Sequence, residues 1–231
     1  MKIFSQCLVV FILGCIGAQE LRAQELTACS MFGDSNINVV DRVNAAKSGH
    51  VSAGPKIELH VKPDSTCNKD DCLVPSTFPL HAGLEGVEIG RHQSWVCVAV
   101  SGKKPLDVWL GWIPEQRWQQ SSLKQDLKDW TGVWQNDYAK IKIKLSELQE
   151  LSATGHALWV GGAMGTSNFG DFDIKGVPEN GVFATPSSTP NFDCHVALRL
   201  VGSFIFAADN RNCGGMNVTF DGVYRFRHGL Q

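Results

Sequence analysis

Residues 139–145 read Ala-Lys-Ile-Lys-Ile-Lys-Leu, an unbroken alternation of apolar and positively charged side chains. Successive side chains of a β-strand point to opposite faces of the sheet, so this alternation predicts one dry face and one wet face. Residues 194–201 repeat the period of two, with Val196, Leu198 and Leu200 on the predicted dry face. Both segments predict strands of an antiparallel sheet that covers a core with one face.

Residues 130–231 contain eight short segments of strand type, separated by turns rich in glycine, proline and asparagine. They are 130–135, 139–145, 156–161, 168–174, 181–185, 194–201, 203–208 and 218–227. Regular short strands joined by tight turns favour a small antiparallel barrel or sandwich. Strands this short predict a barrel interior filled by its own side chains.

The residues before this half have the same texture of short strands and turns. The strand-like segments are 57–61, 87–89, 95–100 and 108–114. Residues 24–49 lack the alternation and predict an arm with a short helix at 39–46, while the polar residues 119–129 predict a linker. The sequence therefore predicts an all-β protein with two β domains, at 50–118 and 130–231.

Three short segments of the first domain occur in a fixed order. They are 82–89 (Ala-Gly-Leu-Glu-Gly-Val-Glu-Ile), 94–98 (Ser-Trp-Val-Cys-Val) and 111–114 (Gly-Trp-Ile-Pro). In this order and spacing they resemble the bacterial SH3-like domain of exported cell-envelope proteins. The resemblance implies a small SH3-like barrel with a shallow aromatic groove that receives an extended peptide.

Tryptophan is the residue type that bears most directly on a binding groove. All seven tryptophans lie between Trp95 and Trp159. The patterning of Trp95, Trp130 and Trp134 aims them inward, towards a core. The candidates for the groove are Trp109, Trp112 and Trp118, for which a core position is an equal alternative.

The second domain carries a resemblance of its own. It opens with Trp-Thr-Gly-Val-Trp at 130–134 and closes with Asp-Asn-Arg-Asn-Cys-Gly-Gly-Met-Asn-Val-Thr-Phe-Asp-Gly-Val-Tyr at 209–224. These segments resemble a C-terminal module of uncharacterised exported proteobacterial proteins. The opening is also similar to the first strand of lipocalin- and avidin-type barrels. The resemblance implies a fold and not an activity.

The N-terminus predicts export. Met1-Lys2 gives a positive start, residues 3–16 are mostly apolar, and small and polar residues follow at 17–20. This pattern is typical of a secretory signal peptide, here 1–23, with cleavage after Ala18 or Ala23. Ile-Leu-Gly-Cys at 12–15 loosely resembles a lipobox, which gives acylation at Cys15 as the less favoured alternative. No later segment has the length of a transmembrane helix. A periplasmic or secreted protein is expected.

Six cysteines remain outside the predicted signal peptide, and an even number in an oxidising compartment predicts disulfides. A two-residue turn near Gly202-Ser203 places Cys194 opposite residue 211, so Cys194–Cys213 is the expected pair. The other four cysteines allow three pairings. The favoured pairing is Cys67–Cys72 with Cys29–Cys97.

The sequence offers no sign of catalysis or of polyanion binding. The net charge is −2 without a basic stripe, so nucleic acid is not an expected partner. Zinc-ligand spacings, nucleophile elbows, phosphate loops and dinucleotide fingerprints are missing, so no enzyme activity, cofactor or metal is expected.

The first hypothesis is therefore a non-catalytic exported binding protein that engages a cell-wall peptide or an envelope protein through the SH3-like domain. The second is an inhibitor or immunity-type protein that blocks an extracytoplasmic hydrolase, with the loop 67–72 as its plug. The third, ranked last, is a lipocalin-like carrier of a small ligand.

Overall fold

The computed structural model describes residue 29 and residues 38–62, 73–102, 107–122, 124–161, 166–190 and 192–227. These residues are nearly all β and form two antiparallel sheets, one of which has eight strands and is nearly closed into a barrel. The predicted fold class is confirmed. The predicted signal peptide 1–23, with Cys15, and the pair Cys67–Cys72 lie outside the described residues.

The predicted helix of the arm is α1, Val39–Asn44. Asn38 precedes it, and the side-chain oxygen of Asn38 accepts a hydrogen bond from the Val40 backbone N–H at 2.8 Å. This bond satisfies one of the backbone donors that every helix start leaves unpaired. Among the described residues no helix has the length and apolar character needed to cross a membrane.

In the described residues the N-terminal sheet has seven strands. They are β1 (Lys47–Val51), β2 (Ile57–Val61), β3 (Val74–Leu80), β4 (Glu85–His92), β5 (Trp95–Ser101), β6 (Val108–Pro114) and β7 (Trp118–Gln120). Their order across the sheet is β3-β2-β6-β5-β4-β1-β7. A single 3-10 turn, Glu115–Arg117, separates β6 from β7.

The C-terminal sheet follows a second 3-10 turn, Leu127–Trp130. Its strands are β8 (Gly132–Gln135), β9 (Ala139–Leu145), β10 (Leu151–Gly161), β11 (Thr166–Gly176), β12 (Val182–Ala184), β13 (Val196–Val201), β14 (Phe204–Asp209) and β15 (Gly222–Phe226). Each overlaps one of the eight predicted segments. Their order, β11-β10-β9-β8-β15-β14-β13-β12, is an up-and-down meander whose first and last strands in sequence, β8 and β15, are paired.

The long connection between β14 and β15 reaches one edge strand of this sheet, β11. Gly214 of this connection forms a bridge with Gly170 of β11. A Cβ on Gly170 would lie 2.4 Å from the Cys213 carbonyl oxygen, so the close backbone approach requires glycine there. The Asp171 N–H donates to that same carbonyl at 3.0 Å.

Both disulfides that fall on described residues match the prediction. Cys29 pairs with Cys97, and Cys194 pairs with Cys213. The register of β13 against β14 pairs Val196 with Asp209, which sets Cys194 opposite residue 211 as the turn length required. The two bonds fit an oxidising, extracytoplasmic compartment.

The barrel interior is a core of apolar side chains, and β9 shows the predicted alternation. Ile141 and Ile143 are buried in it, and the three lysines that alternate with the apolar residues of β9 are exposed. β13 and β14 differ, because nearly every one of their residues is buried, including Ala197, which was expected on the wet face. The outer face of these two strands carries a second apolar cluster.

That second cluster joins the two halves of the chain. Phe204 and Phe206 of β14 share it with Val43 of α1, Val87 of β4 and Ala99 of β5. The arm and the N-terminal sheet therefore cover one side of the barrel. The domain limits placed at 49/50 and 118/119 fall inside β1 and β7.

Candidate functional site

Two of the three tryptophans predicted to line a peptide groove are buried. Trp112 is 3 % exposed and packs against Leu73 and the Cys29–Cys97 disulfide. Trp118 is 7 % exposed, and its indole Nε1 donates to the Glu88 carboxylate at 3.0 Å. The core position, which the sequence had left open, is the one that both side chains occupy.

The buried Glu88 carboxylate holds one edge of the N-terminal sheet together. Besides the bond from Trp118, it accepts hydrogen bonds from Arg91 at 2.7 Å and from the Gln120 amide at 2.8 Å. Arg91 also pairs with Glu115 at the 3-10 turn. Burial alone would raise the pKa of Glu88, but the hydrogen bonds and charge of its partners outweigh burial and lower the pKa below its usual value.

Trp109 is the remaining groove candidate and is partly exposed. Its ring packs against the exposed ring of Phe78, with 4.7 Å between ring centroids. Phe78 lies on β3, an edge strand of the sheet. The three candidate tryptophans are therefore not brought together on one surface, and Trp109 with Phe78 is a partly exposed aromatic pair.

A concave site lies at one end of the barrel. Three elements form it: the turn between β8 and β9, the second half of β10, and the connection between β14 and β15. This barrel-end pocket has a volume of about 430 Å³ and is lined by Asn136, Tyr138, Ala157, Leu158, Trp159, Arg211, Asn217, Val218, Thr219 and Asp221. Its volume falls in the range of small-ligand sites.

The floor of the barrel-end pocket is a buried network of charges. Asp221 is paired with Arg42 of α1 at 2.6 Å and with Arg211 at 3.6 Å. Arg42 also donates to the Asp209 carbonyl oxygen at 2.9 Å. A buried ion pair of this kind is stable only where hydrogen bonds also satisfy its charged groups. The neighbouring loop, residues 209–221, provides such bonds.

The Asp209 carboxylate organises that loop. It accepts hydrogen bonds from the Thr219 hydroxyl at 3.0 Å, the Phe220 N–H at 2.7 Å and the Arg211 N–H at 3.2 Å. The Asp209 N–H in turn donates to the Asp221 carboxylate at 2.7 Å. The chain from 209 to 221 is thus fixed as one wall of the pocket.

Burial changes the ionisation of two groups at this floor. Desolvation raises the pKa of Asp221, and the charge of Asp209 adds to the effect. Tyr224 is fully buried, its hydroxyl donates to the Phe220 carbonyl at 2.9 Å, and burial raises its pKa well above the usual value. An acidic group with a perturbed pKa at the base of a cleft marks a candidate functional site.

Exposed apolar side chains surround the pocket entrance on the outer face of the barrel. Leu158 and Phe169 are directly opposite each other on β10 and β11, and the Leu158 N–H donates to the Tyr138 carbonyl at 2.9 Å. Tyr138, Leu158 and Phe169 therefore form one row across neighbouring strands, and they are 66 %, 41 % and 67 % exposed. Contiguous exposed apolar surface of this kind marks an interaction site.

Sequence reasoning missed the barrel-end pocket. Its residues come from segments centred on 137, 158 and 216, which no local pattern connects. The closing segment 209–224 was singled out for its resemblance, but the roles of Asp209 and Asp221 within it were not predicted. Alternate side chains of β10 point to opposite faces, and this period of two puts Leu158 and Val160 on the wet face. That alternation was the available signal for the exposed row.

The described residues hold no cluster of three or more metal-ligating side chains. Arginine or backbone donors engage the carboxylates of Asp209 and Asp221 at the pocket floor. No protein-family model, no curated protein and no solved structure matches this chain.

Proposed function

We propose that this chain is a non-catalytic binding protein that acts outside the cytoplasm, with its ligand in the barrel-end pocket. The observation that carries the proposal is the construction of the pocket, whose charged floor is held by ion pairs and hydrogen bonds among its own residues. A preformed cleft with apolar walls and a few fixed polar groups is the usual form of a small-ligand site.

This proposal reverses the order of the hypotheses drawn from the sequence. The carrier was ranked last because short strands leave no room inside a barrel. β10 and β11, however, are 11 residues long each, and β10 continues past its last pairing with β9 at Ala157. The extension builds a wall beyond the filled core, and the pocket lies against that wall.

Support for an extracytoplasmic site of action comes from the two disulfides. The predicted signal peptide 1–23 points to the same compartment. The periplasm is the destination that we propose on this basis, with acylation at Cys15 as the alternative.

A second candidate function is engagement of a cell-wall peptide or an envelope protein by the N-terminal sheet. Strands β7, β1, β4, β5 and β6 are neighbours in that order, and the 3-10 turn Glu115–Arg117 precedes β7, which supports an SH3-like arrangement. The contact surface of this candidate is the partly exposed Trp109–Phe78 pair. The hydrolase-inhibitor hypothesis depended on the loop 67–72, which lies outside the described residues.

Thermal denaturation with fractionated envelope extract separates these candidates. The mature chain is heated with the dialysable fraction and with the retained macromolecular fraction, as wild type, Tyr138→Ala and Trp109→Ala. We expect the dialysable fraction to raise the midpoint temperature of unfolding for the wild type and for Trp109→Ala, but not for Tyr138→Ala. Leu148→Ala, an exposed residue in the turn between β9 and β10, is the matched control.

Two results would contradict the barrel-end site. If the unfolding midpoint still rises in Tyr138→Ala but no longer rises in Trp109→Ala, the ligand binds the N-terminal sheet instead. A wild-type chain whose midpoint responds to neither fraction would remove the case for a binding protein.

A further inference from the structure

We infer that the barrel-end pocket binds a neutral saccharide. This inference deepens the proposed function and rests on it, because it names the ligand class of the same site. The walls, the polar groups and the charge balance of the pocket each support the inference.

The first support is aromatic surface at the entrance and on the wall. Tyr138 is largely exposed at the entrance, and Trp159 lines the wall, partly buried against the barrel core. A Cβ at position 161 would lie 1.7 Å from the Trp159 ring, so the absence of a side chain on Gly161 lets the indole lie against the backbone. Tyrosine and tryptophan present flat apolar faces with a polar edge, which suits a ligand that is apolar on its ring faces and hydroxylated at its rim.

The second support is the mixture of donors and acceptors along the opposite wall. Asn217 is exposed, and its backbone φ of 67° is in the left-handed region that asparagine tolerates. Arg211 and Thr219 lie beside it in the pocket lining. An amide, a guanidinium and a hydroxyl together match a ligand with many hydroxyl groups, each of which both donates and accepts.

The third support is the charge balance of the floor. Arg42 and Arg211 both pair with the Asp221 carboxylate, and backbone N–H groups and the Thr219 hydroxyl hold the Asp209 carboxylate, so two arginines balance two aspartates. A ligand carrying a carboxylate or an ammonium group would add an uncompensated charge to this buried network, which is costly. The site therefore favours a ligand without net charge, and the polar groups among its apolar walls suit a saccharide better than a fatty acyl chain.

Titration of the full mature chain with defined sugars, followed by tryptophan fluorescence and calorimetry, tests the inference. The probes are the neutral disaccharides chitobiose, cellobiose, maltose and lactose, the cationic de-N-acetylated form of chitobiose, and an anionic galacturonic acid disaccharide. We expect saturable binding of at least one neutral disaccharide and binding about tenfold weaker, or worse, for its charged analogues.

Matched variants locate the binding. Tyr138→Ala should weaken it about tenfold, whereas Tyr138→Phe, which keeps the ring, should retain most of it. Asn217→Gly removes the amide without straining the left-handed backbone and should weaken binding about fivefold. Leu148→Ala should bind as the wild type does, and circular dichroism of every variant checks that the fold is intact.

The failures of the two proposals are distinguishable. No binding of any neutral disaccharide at millimolar concentration, together with Tyr138-dependent binding of lauric acid, would overturn the saccharide and leave the pocket as a ligand site. Charged analogues that bind as tightly as the neutral sugars would also overturn it. Sugar binding unaffected by Tyr138→Ala and Asn217→Gly would remove the pocket from both proposals.

Discussion

At the scale of single residues, three buried charged side chains, Glu88, Arg42 and Asp221, hold distant elements of this protein together. Glu88 joins β4 to β7 through bonds from Trp118 and Gln120, and Arg42 joins α1 to the barrel through Asp221. Removing one member of a buried pair leaves the other without compensation, which costs more than the pair itself contributes. These residues therefore fix the arrangement of elements that are distant in sequence.

Substitution of Glu88 tests this at acid pH. The lowered pKa of Glu88 means that the stability it contributes is present above about 4.5 and is lost as the pH falls through its folded value. We expect Glu88→Gln to cost about 2 kcal/mol at neutral pH and to reduce the loss of stability on acidification. Urea denaturation across this pH range measures both effects. Glu147→Gln, an exposed control, should lose stability on acidification as the wild type does.

Substitution of Arg42 tests the attachment of α1. Arg42→Met keeps most of the side-chain volume but leaves the buried Asp221 carboxylate with the more distant Arg211 as its only arginine. We expect the free energy of unfolding to fall by about 3 kcal/mol in denaturant titrations. Lys128→Met, which removes an exposed pair with Asp126, is the control and should change little. An equal effect of the two substitutions would contradict the importance of Arg42.

At the scale of elements, β10 combines a filled section with an open one. Between Leu151 and Ala157 it pairs with β9 on one side and β11 on the other, and its inward side chains belong to the core. From Leu158 to Gly161 it pairs with β11 alone, and the pocket lies against this part. Glycine at two inward positions makes room for aromatic rings, Phe172 beside Gly155 and Trp159 beside Gly161.

Gly155→Ala should therefore disturb the core without touching the pocket lining. The new methyl group would lie 2.1 Å from the Phe172 ring, which packs against Phe220 and has little space to move. We expect a loss of about 2 kcal/mol in the free energy of unfolding, measured by chemical denaturation. Gly90→Ala is the matched control, because its methyl group would approach only the Cys97 Cβ, at 3.9 Å. Equal stability of the two variants would show that the core relaxes around Gly155.

At the scale of the whole molecule, the two sheets share a core. Phe204 and Phe206 on the outer face of β14 pack with Val87 and Ala99 of the N-terminal sheet and with Val43 of α1. The Ser203 hydroxyl donates to Glu85 across the same junction at 2.9 Å. Neither half buries the apolar surface of this shared cluster without the other, so we expect the described chain to unfold as one cooperative unit.

Phe204→Ala tests that cooperativity. Deleting a buried phenylalanine should cost about 4 kcal/mol, and the loss should appear in both sheets. Hydrogen exchange read by mass spectrometry should show the amides of β5 and β14 losing protection together. Phe192→Ala, an exposed residue before β13, is the control. Loss of protection confined to β14, or two separate unfolding transitions, would contradict a shared core.

The elements that the sequence predicted are those that depend on local pattern. The alternation in β9, the turn at Gly202 and the resulting Cys194–Cys213 pair all follow from a period of two and a turn length. The sequence left Trp112 and Trp118 undecided between a core and a groove position, because that choice does not depend on local pattern. A period of two says that a side chain faces one side of a sheet, but not what covers that side.

Local pattern was thus enough for the all-β class, the eight strands of the C-terminal half and the Cys194–Cys213 disulfide, whereas it only favoured Cys29–Cys97 among three possible pairings. Only the tertiary structure decided that β14 is buried on both faces, because its outer cover comes from α1 and β4, far away in the chain. The barrel-end pocket was decided in the same way. Its walls and its buried Arg42–Asp221 floor are contacts between distant segments, and burial there depends on packing that no local pattern encodes.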